Sequence, residues 1–193
     1  SAYDEYNFAL GADTIWDFAW NIYCDWYIEL TKDNQDAALP ILTHVLVQLI
    51  QVVHPYMPFI TEEIWQRITE HPQIDLNSTE TIAHSQWPTP NQSHINTDLD
   101  RQFNSAIEII RAIRNLRKNL GISPKKECDL WVLPTQKSDG EFINGLATII
   151  QPMAKINTIK VLEGTEAPKQ ASAIVVENIQ LFIPLKGLIN IDD

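Results

Sequence analysis

The sequence predicts an α+β chain: an all-α helical bundle followed by a small α/β appendage. Three observations predict it. Apolar residues recur at helical spacing in four stretches between residues 13 and 120, each closed by Pro, Gly or a polar turn. After Pro124 the pattern changes to short alternating runs of strand type. The chain has 193 residues, 45% of them hydrophobic, which suits one substantial domain with an appendage. The expected division is a bundle over 1–124 and a β-α-β-β-β unit over 125–193.

From Asp13 the chain reads as a helix, with Asp13 or Thr14 as its cap. At about 100° per residue, Trp16, Trp20, Tyr23 and Tyr27 fall on one side, flanked by Ala19, Trp26 and Leu30. Asp17, Asn21, Asp25 and Glu29 fall opposite. This is the pattern of an aromatic core stripe with a solvated acidic face. An aromatic here that reaches the surface is suited to stack on an unpaired base, and Trp16, Trp20 and Tyr23 are the candidates. Ala37 to His54 forms a second helix, lined by Leu39, Leu42, Val45, Leu46, Leu49, Ile50 and Val53. It is apolar almost all round, which predicts a central place in the bundle.

His54 to Trp65 (HPYMPFITEEIW) is the corner of the bundle. Pro55 and Pro58 cannot both lie inside one regular helix, so the second helix stops near His54. Pro58 suits the first turn of a third helix, where its missing N–H costs nothing. Glu62 and Glu63 then sit early in that helix, where the macrodipole favours negative charge. Ile60, Ile64, Trp65 and Ile68 give it an expected buried face. His71 to Thr97 reads as a long polar loop anchored by Ile82, Trp87 and Pro88.

Residues 98–120 form the fourth helix, with Ala106, Ile109, Ile110, Ile113, Leu116 and Leu120 on one face. Gly121 is a natural C-cap and Pro124 forbids continuation. Strands are expected over Glu127–Leu133, Ile156–Leu162, Ala173–Glu177 and Ile179–Leu185, with a helix over Phe142–Met153.

The net charge is −11, which taken whole argues against nucleic acid. Its distribution argues otherwise. Residues 1–100 hold 2 basic and 15 acidic side chains, residues 101–126 hold 7 and 1, and residues 127–193 hold 5 and 9. Arg111, Arg114 and Lys118 fall within about 60° of one another on the fourth helix. Arg117 sits at the edge of the apolar stripe, and Lys125 and Lys126 carry the positive charge past the helix end. This stripe is the candidate site for phosphate. The histidines show no ligand spacing, and no Ser/His/Asp order, Cys/His cluster or glycine-rich phosphate loop is present, so no metal site and no catalytic residues are expected. Two cysteines are too few for a disulfide framework. The first residues lack the features of a signal peptide and no run of about 18 apolar residues exists, so a cytoplasmic protein without a membrane span is expected.

Several blocks carry a family resemblance: Trp20 to Leu30 (WNIYCDWYIEL), His54 to Trp65, Ile113 to Lys126 (IRNLRKNLGISPKK), Ser85-Gln86-Trp87-Pro88 and Leu185-Lys186-Gly187-Leu188-Ile189. They resemble the anticodon-binding region of class I aminoacyl-tRNA synthetases, the valyl-tRNA synthetases most closely, with the first three blocks in the family's order. Isoleucyl and leucyl enzymes share versions of the corner, and the block Cys24 to Glu29 separates the valyl ones. The resemblance implies a non-catalytic piece of a valine–tRNA ligase that holds the anticodon arm of tRNA(Val). The family's two ATP-site signatures are absent, so no cofactor is expected in this chain, while ATP and magnesium are implied for the parent enzyme. Its first bundle helix is expected to lie at least partly upstream of Ser1. The implied partners are tRNA(Val) and the remaining domains of the synthetase, and the implied state is a monomer. By the residues alone, the rival reading is a protein-interaction bundle whose basic helix pairs with an acidic partner.

Overall fold

A computed structural model describes residues 7–71, 74, 80–162, 168, 170–176 and 178–185. The chain is α+β, with six α-helices and a four-stranded mixed sheet among the described residues. It forms two compact units, 1–92 and 93–193. The expected boundary after residue 124 marks the change from helix to strand pattern, whereas packing divides the chain earlier. The basic helix therefore shares a unit with the sheet.

In the first unit, α1 (Phe8–Trp16) begins before the expected cap, because the Asn7 side chain accepts a hydrogen bond from the Leu10 N–H at 3.1 Å. It runs on into a π-helical stretch, Asp17–Ile28. Such a stretch bonds i to i+5 and is rare at this length. Helix α2 (Gln35–Val53) ends at the corner, and α3 (Pro58–Thr69) opens with Pro58 in its first turn, as the two prolines require. The Tyr56 and Met57 N–H groups donate to the Val53 carbonyl at 2.9 and 3.1 Å. The Thr61 hydroxyl donates to the Met57 carbonyl at 2.8 Å, and Nδ1 of His54 lies 2.7 Å from the same hydroxyl oxygen.

Burial corrects three expectations here. Ile60 is 49% exposed, and Thr61 takes the inward position with Trp65 and Ile68, the i, i+4, i+7 set of a helix that starts at Pro58. Trp87 is half exposed, and of the proposed loop anchors it is Ile82 that inserts, into a cluster with Ile50, Trp65 and Ile68. Helix α2 is not enclosed. It packs on α1 and α3, only Ala38, Thr43 and Ile50 are fully buried, and Val45, Leu49 and Val52 line a groove of about 390 Å³. By length and composition Lys32–Val53 is apolar enough to cross a membrane, contrary to the expectation, since its few polar residues are spread along the span. Core helices of bundles have the same composition.

Glu62 does more than complement a helix dipole. Its Oε1 accepts from the Gln66 side chain at 2.7 Å, and its Oε2 accepts from the Thr81 hydroxyl at 2.8 Å and the Ile82 N–H at 3.2 Å. The Gln66 amide also donates to the Glu80 carbonyl at 2.7 Å. These bonds clip the loop to α3 and seat Ile82. The Gln66 bond, helped by Thr81, Ile82 and the charge of His54 against the opposing push of burial, holds the Glu62 carboxyl below the usual carboxylate range.

In the second unit, α4 (Thr97–Asn119) is capped by Asn96, whose side chain accepts from the Asp98 and Leu99 N–H groups. Ala106, Ile109, Ile110, Ile113 and Leu116 are buried as expected, along with Ile107. The helix ends in a Schellman turn. Gly121 has φ +68°, its N–H donates to the Lys118 carbonyl, and the N–H of buried Ile122 donates to the Arg117 carbonyl. Strand β1 (Cys128–Leu133) follows, then α5 (Lys137–Gly145) and α6 (Ala147–Ala154), where one helix was expected. The chain bends between them at Leu146, whose φ and ψ are −91° and 0°. Strands β2 (Ile156–Val161), β3 (Ala171–Val176) and β4 (Ile179–Pro184) complete the sheet in the order β2-β1-β4-β3. β1 and β2 are parallel, joined by the α5–α6 crossover, and the other pairs are antiparallel. Helix α4 packs on α6 and β3. Residues 186–189 of the resemblance lie outside the described residues.

Because its folded-state pKa is lowered, Glu62 contributes stability that is complete above the ordinary carboxylate pKa of about 4.3 and is lost as pH falls through the lowered value. Urea unfolding of wild type and Glu62→Gln should therefore differ at pH 7 and converge toward pH 3. An unchanged gap at both pH values would show that the ionised carboxylate is not what holds the loop.

Candidate nucleic-acid interface

The sequence nominated two sets of residues, and each divides on folding. Of the cations on α4, Arg111, Arg114 and Lys118 are exposed along one side of the helix. Lys125 and Lys126 are exposed on the turn that follows. Arg117 is the correction: it is only 4% exposed and turned inward. Its Nη1 donates to the Cys128 sulfur at 2.9 Å and the Lys155 carbonyl at 3.0 Å. Its Nη2 donates to the Ser123 carbonyl at 3.1 Å and to the Lys126 carbonyl. A side chain so engaged holds the protein together and is not offered to phosphate. Its place at the edge of the apolar stripe was legible, but its acceptors come from segments far apart in sequence.

Arg114 has two roles. It is exposed, yet its Nε and Nη2 both donate to the Met153 carbonyl, at 3.0 and 2.7 Å. That carbonyl lies in the last turn of α6, where helix carbonyls lack intrahelical donors. Lys118 is engaged in no ion pair among the described residues. Burial pushes the Cys128 thiol up despite the opposing pull of Arg117, so the sulfur meets the guanidinium as a neutral acceptor.

The aromatics divide the other way. Trp16 and Trp20 were expected to be mostly core, but they are 63% and 54% exposed. Their rings stack with centroids 5.6 Å apart and planes 3° from parallel, an offset arrangement. Tyr23 is buried, its hydroxyl donates to the Leu42 carbonyl at 2.9 Å, and burial first of all pushes its pKa up to about 12. Tyr23 is thus a core residue and not available to a base. The apolar spacing of the sequence implies α-helical winding from residue 13 on. Over the π-helical stretch Asp17–Ile28 residues three apart are spread more widely than in an α-helix, which separates exposed Trp20 from buried Tyr23.

The cations belong to residues 93–193 and the exposed tryptophans to residues 1–92. Among the described residues no group of three or more His, Cys, Asp or Glu side chains is placed to hold a metal ion. One further exposed cation, Lys155, stands at the end of α6, where its carbonyl meets Arg117. It lies outside the basic run, so charge counting along the chain passes it over. The sequence matches the family model of the anticodon-binding domain of tRNA ligase over residues 1–132.

Removing the Arg117 guanidinium takes a donor from three carbonyls, of which those of Ser123 and Lys155 keep the backbone N–H groups of Lys126 and Cys128. Arg117→Met should lower unfolding stability by about 1–3 kcal/mol. Arg114→Ala should cost about 1 kcal/mol through the lost Met153 contact. Denaturant titrations check both, and an Arg117→Met protein as stable as wild type would contradict the structural role.

Proposed function

The chain belongs to the family of anticodon-binding domains of tRNA ligases, and from that membership we propose that it holds the anticodon arm of tRNA(Val) for a valine–tRNA ligase. The family is shared by the valyl, isoleucyl, leucyl, methionyl and cysteinyl synthetases of class I. The choice of valine rests on the block Cys24 to Glu29. The observation that carries RNA contact is the exposed side of α4 with Arg111, Arg114 and Lys118, set on a chain of net charge −11.

The physical work divides by residue type. Lys and Arg neutralise phosphates and set the orientation of the arm, without reading sequence. Exposed aromatics offer flat faces to splayed bases, a role suited to Trp16 and Trp20. Lys118 is the strongest phosphate contact, Arg111 lies on the same exposed side, Arg114 shares its guanidinium with α6, and Lys125 and Lys126 extend the contact. Joining valine to the tRNA, with ATP and magnesium, falls to other parts of the parent enzyme, in the cytoplasm. The isolated chain should give no valine-dependent pyrophosphate exchange above background.

Anisotropy titrations should show tighter binding of valine tRNA than of isoleucine or leucine tRNA. Equal affinity, or preference for another tRNA, would overturn the valine assignment. Lys118→Ala should weaken all these tRNAs alike and flatten the slope of log affinity against log salt by about 0.7–0.9. An unchanged slope would make that side of α4 ordinary solvated surface.

A further inference from the structure

We propose that Lys155 is a phosphate contact, and that it carries the RNA-binding surface from α4 onto the α/β part of the chain. This rests on the anticodon-arm reading above. Lys155 lies outside the 1–132 match, so family membership does not assign it.

Three observations carry the proposal. The first is position. One guanidinium, Arg117, donates to the carbonyls of both Lys126 and Lys155, so the two backbones stand within the span of a single side chain. Both lysines are exposed, and Lys125 adjoins them. The two carbonyls lie within one Debye length of about 8–10 Å of each other, so lysines rooted there present their charge to the same stretch of surface.

The second is charge balance. Among the described residues no ion pair holds Lys125 or Lys155. Of the carboxylates next to these residues in sequence, Asp129 accepts from Thr158 at 2.7 Å and Asn157 at 3.3 Å and keeps its charge, so Asp129 and Glu127 set two negative charges against Lys125, Lys126, Lys155 and the buried Arg117. Beneath the lysines lies Arg117, a buried cation paired with carbonyls and a thiol and, among the described residues, with no carboxylate. Its field passes through low-dielectric protein and adds to the surface potential that an anion meets.

The third is the backbone. Lys155 has φ 53° and ψ 52°, the left-handed conformation in which glycine is the default and a side chain is a cost. The geometry of the turn asks only for a carbonyl, which meets Arg117 and the Cys128 N–H. The ammonium has no part in those bonds. A long cation at a position that favours glycine is consistent with use of its charge outside the fold.

The conformation also supplies the test. Lys155→Gly removes the cation while suiting the backbone, so the full chain should melt at the same temperature or higher. Titrated with a fluorescent valine tRNA between 50 and 200 mM salt, it should bind several-fold more weakly at low salt. Its slope should flatten by about 0.7–0.9. Lys155→Asn, which tolerates the same backbone, should behave likewise, and Lys155→Arg should keep wild-type binding. If Lys118→Ala flattens the slope and Lys155→Gly does not, Lys155 is no contact while the anticodon-arm reading stands. A melting point lowered by Lys155→Gly without a change of slope would make Lys155 only a complement to the end of α6, and would also overturn the proposal. A wild-type chain without salt-dependent binding would take both readings down.

Discussion

The guanidinium of Arg117 reaches four acceptors on three segments: the turn after α4, the first residue of β1, and the end of α6. That contact ties the end of α4 to the turn that bears Lys126 and to Lys155. A lysine could not replace it, since one ammonium cannot span acceptors on opposite sides of a planar fork. Burying a charge without a counter-ion is costly, and the cost is offset only where nearly every donor finds an acceptor. The Schellman turn at Gly121 makes this feasible, because it folds Ser123 and Lys126 back over the helix end.

The first unit relies on smaller versions of the same device. Glu62 and Gln66 bind a loop whose own sequence has little apolar content, and His54 and Thr61 bond across the corner. In both units polar groups join elements beside their apolar contacts. Among the described residues no buried side-chain nitrogen or oxygen lacks a hydrogen-bond partner, as a small core requires.

The distribution of charge and aromatic surface fits a division of labour in RNA recognition. Cations on α4 and the following turn suit a regular phosphate backbone, which any tRNA presents. The stacked pair Trp16–Trp20 suits unpaired bases, and its neighbours Asp17 and Asp25 would repel phosphate laid across them. Acidic surface beside an aromatic platform favours a base edge over a backbone.

Local chemistry decided what was legible in the sequence. Pro55 and Pro58 forced the corner, Gly121 and Pro124 ended α4, and alternation after Glu127 marked the strands, because each acts through its own backbone or a few neighbours. The basic run was visible by counting. Its division was not: Arg114 and Arg117 are one helix turn apart, and their fates depend on carbonyls of residues 123, 126, 153 and 155. Nor could helical spacing tell Trp20 from Tyr23, since their orientation depends on how tightly the helix is wound. Lys155 stood apart from every charge run until the crossover returned it to the end of α4. The sequence by itself determined the elements and the net character of each face. Tertiary structure alone decided which charges meet solvent, because burial and hydrogen bonding depend on neighbours that sequence distance does not reveal.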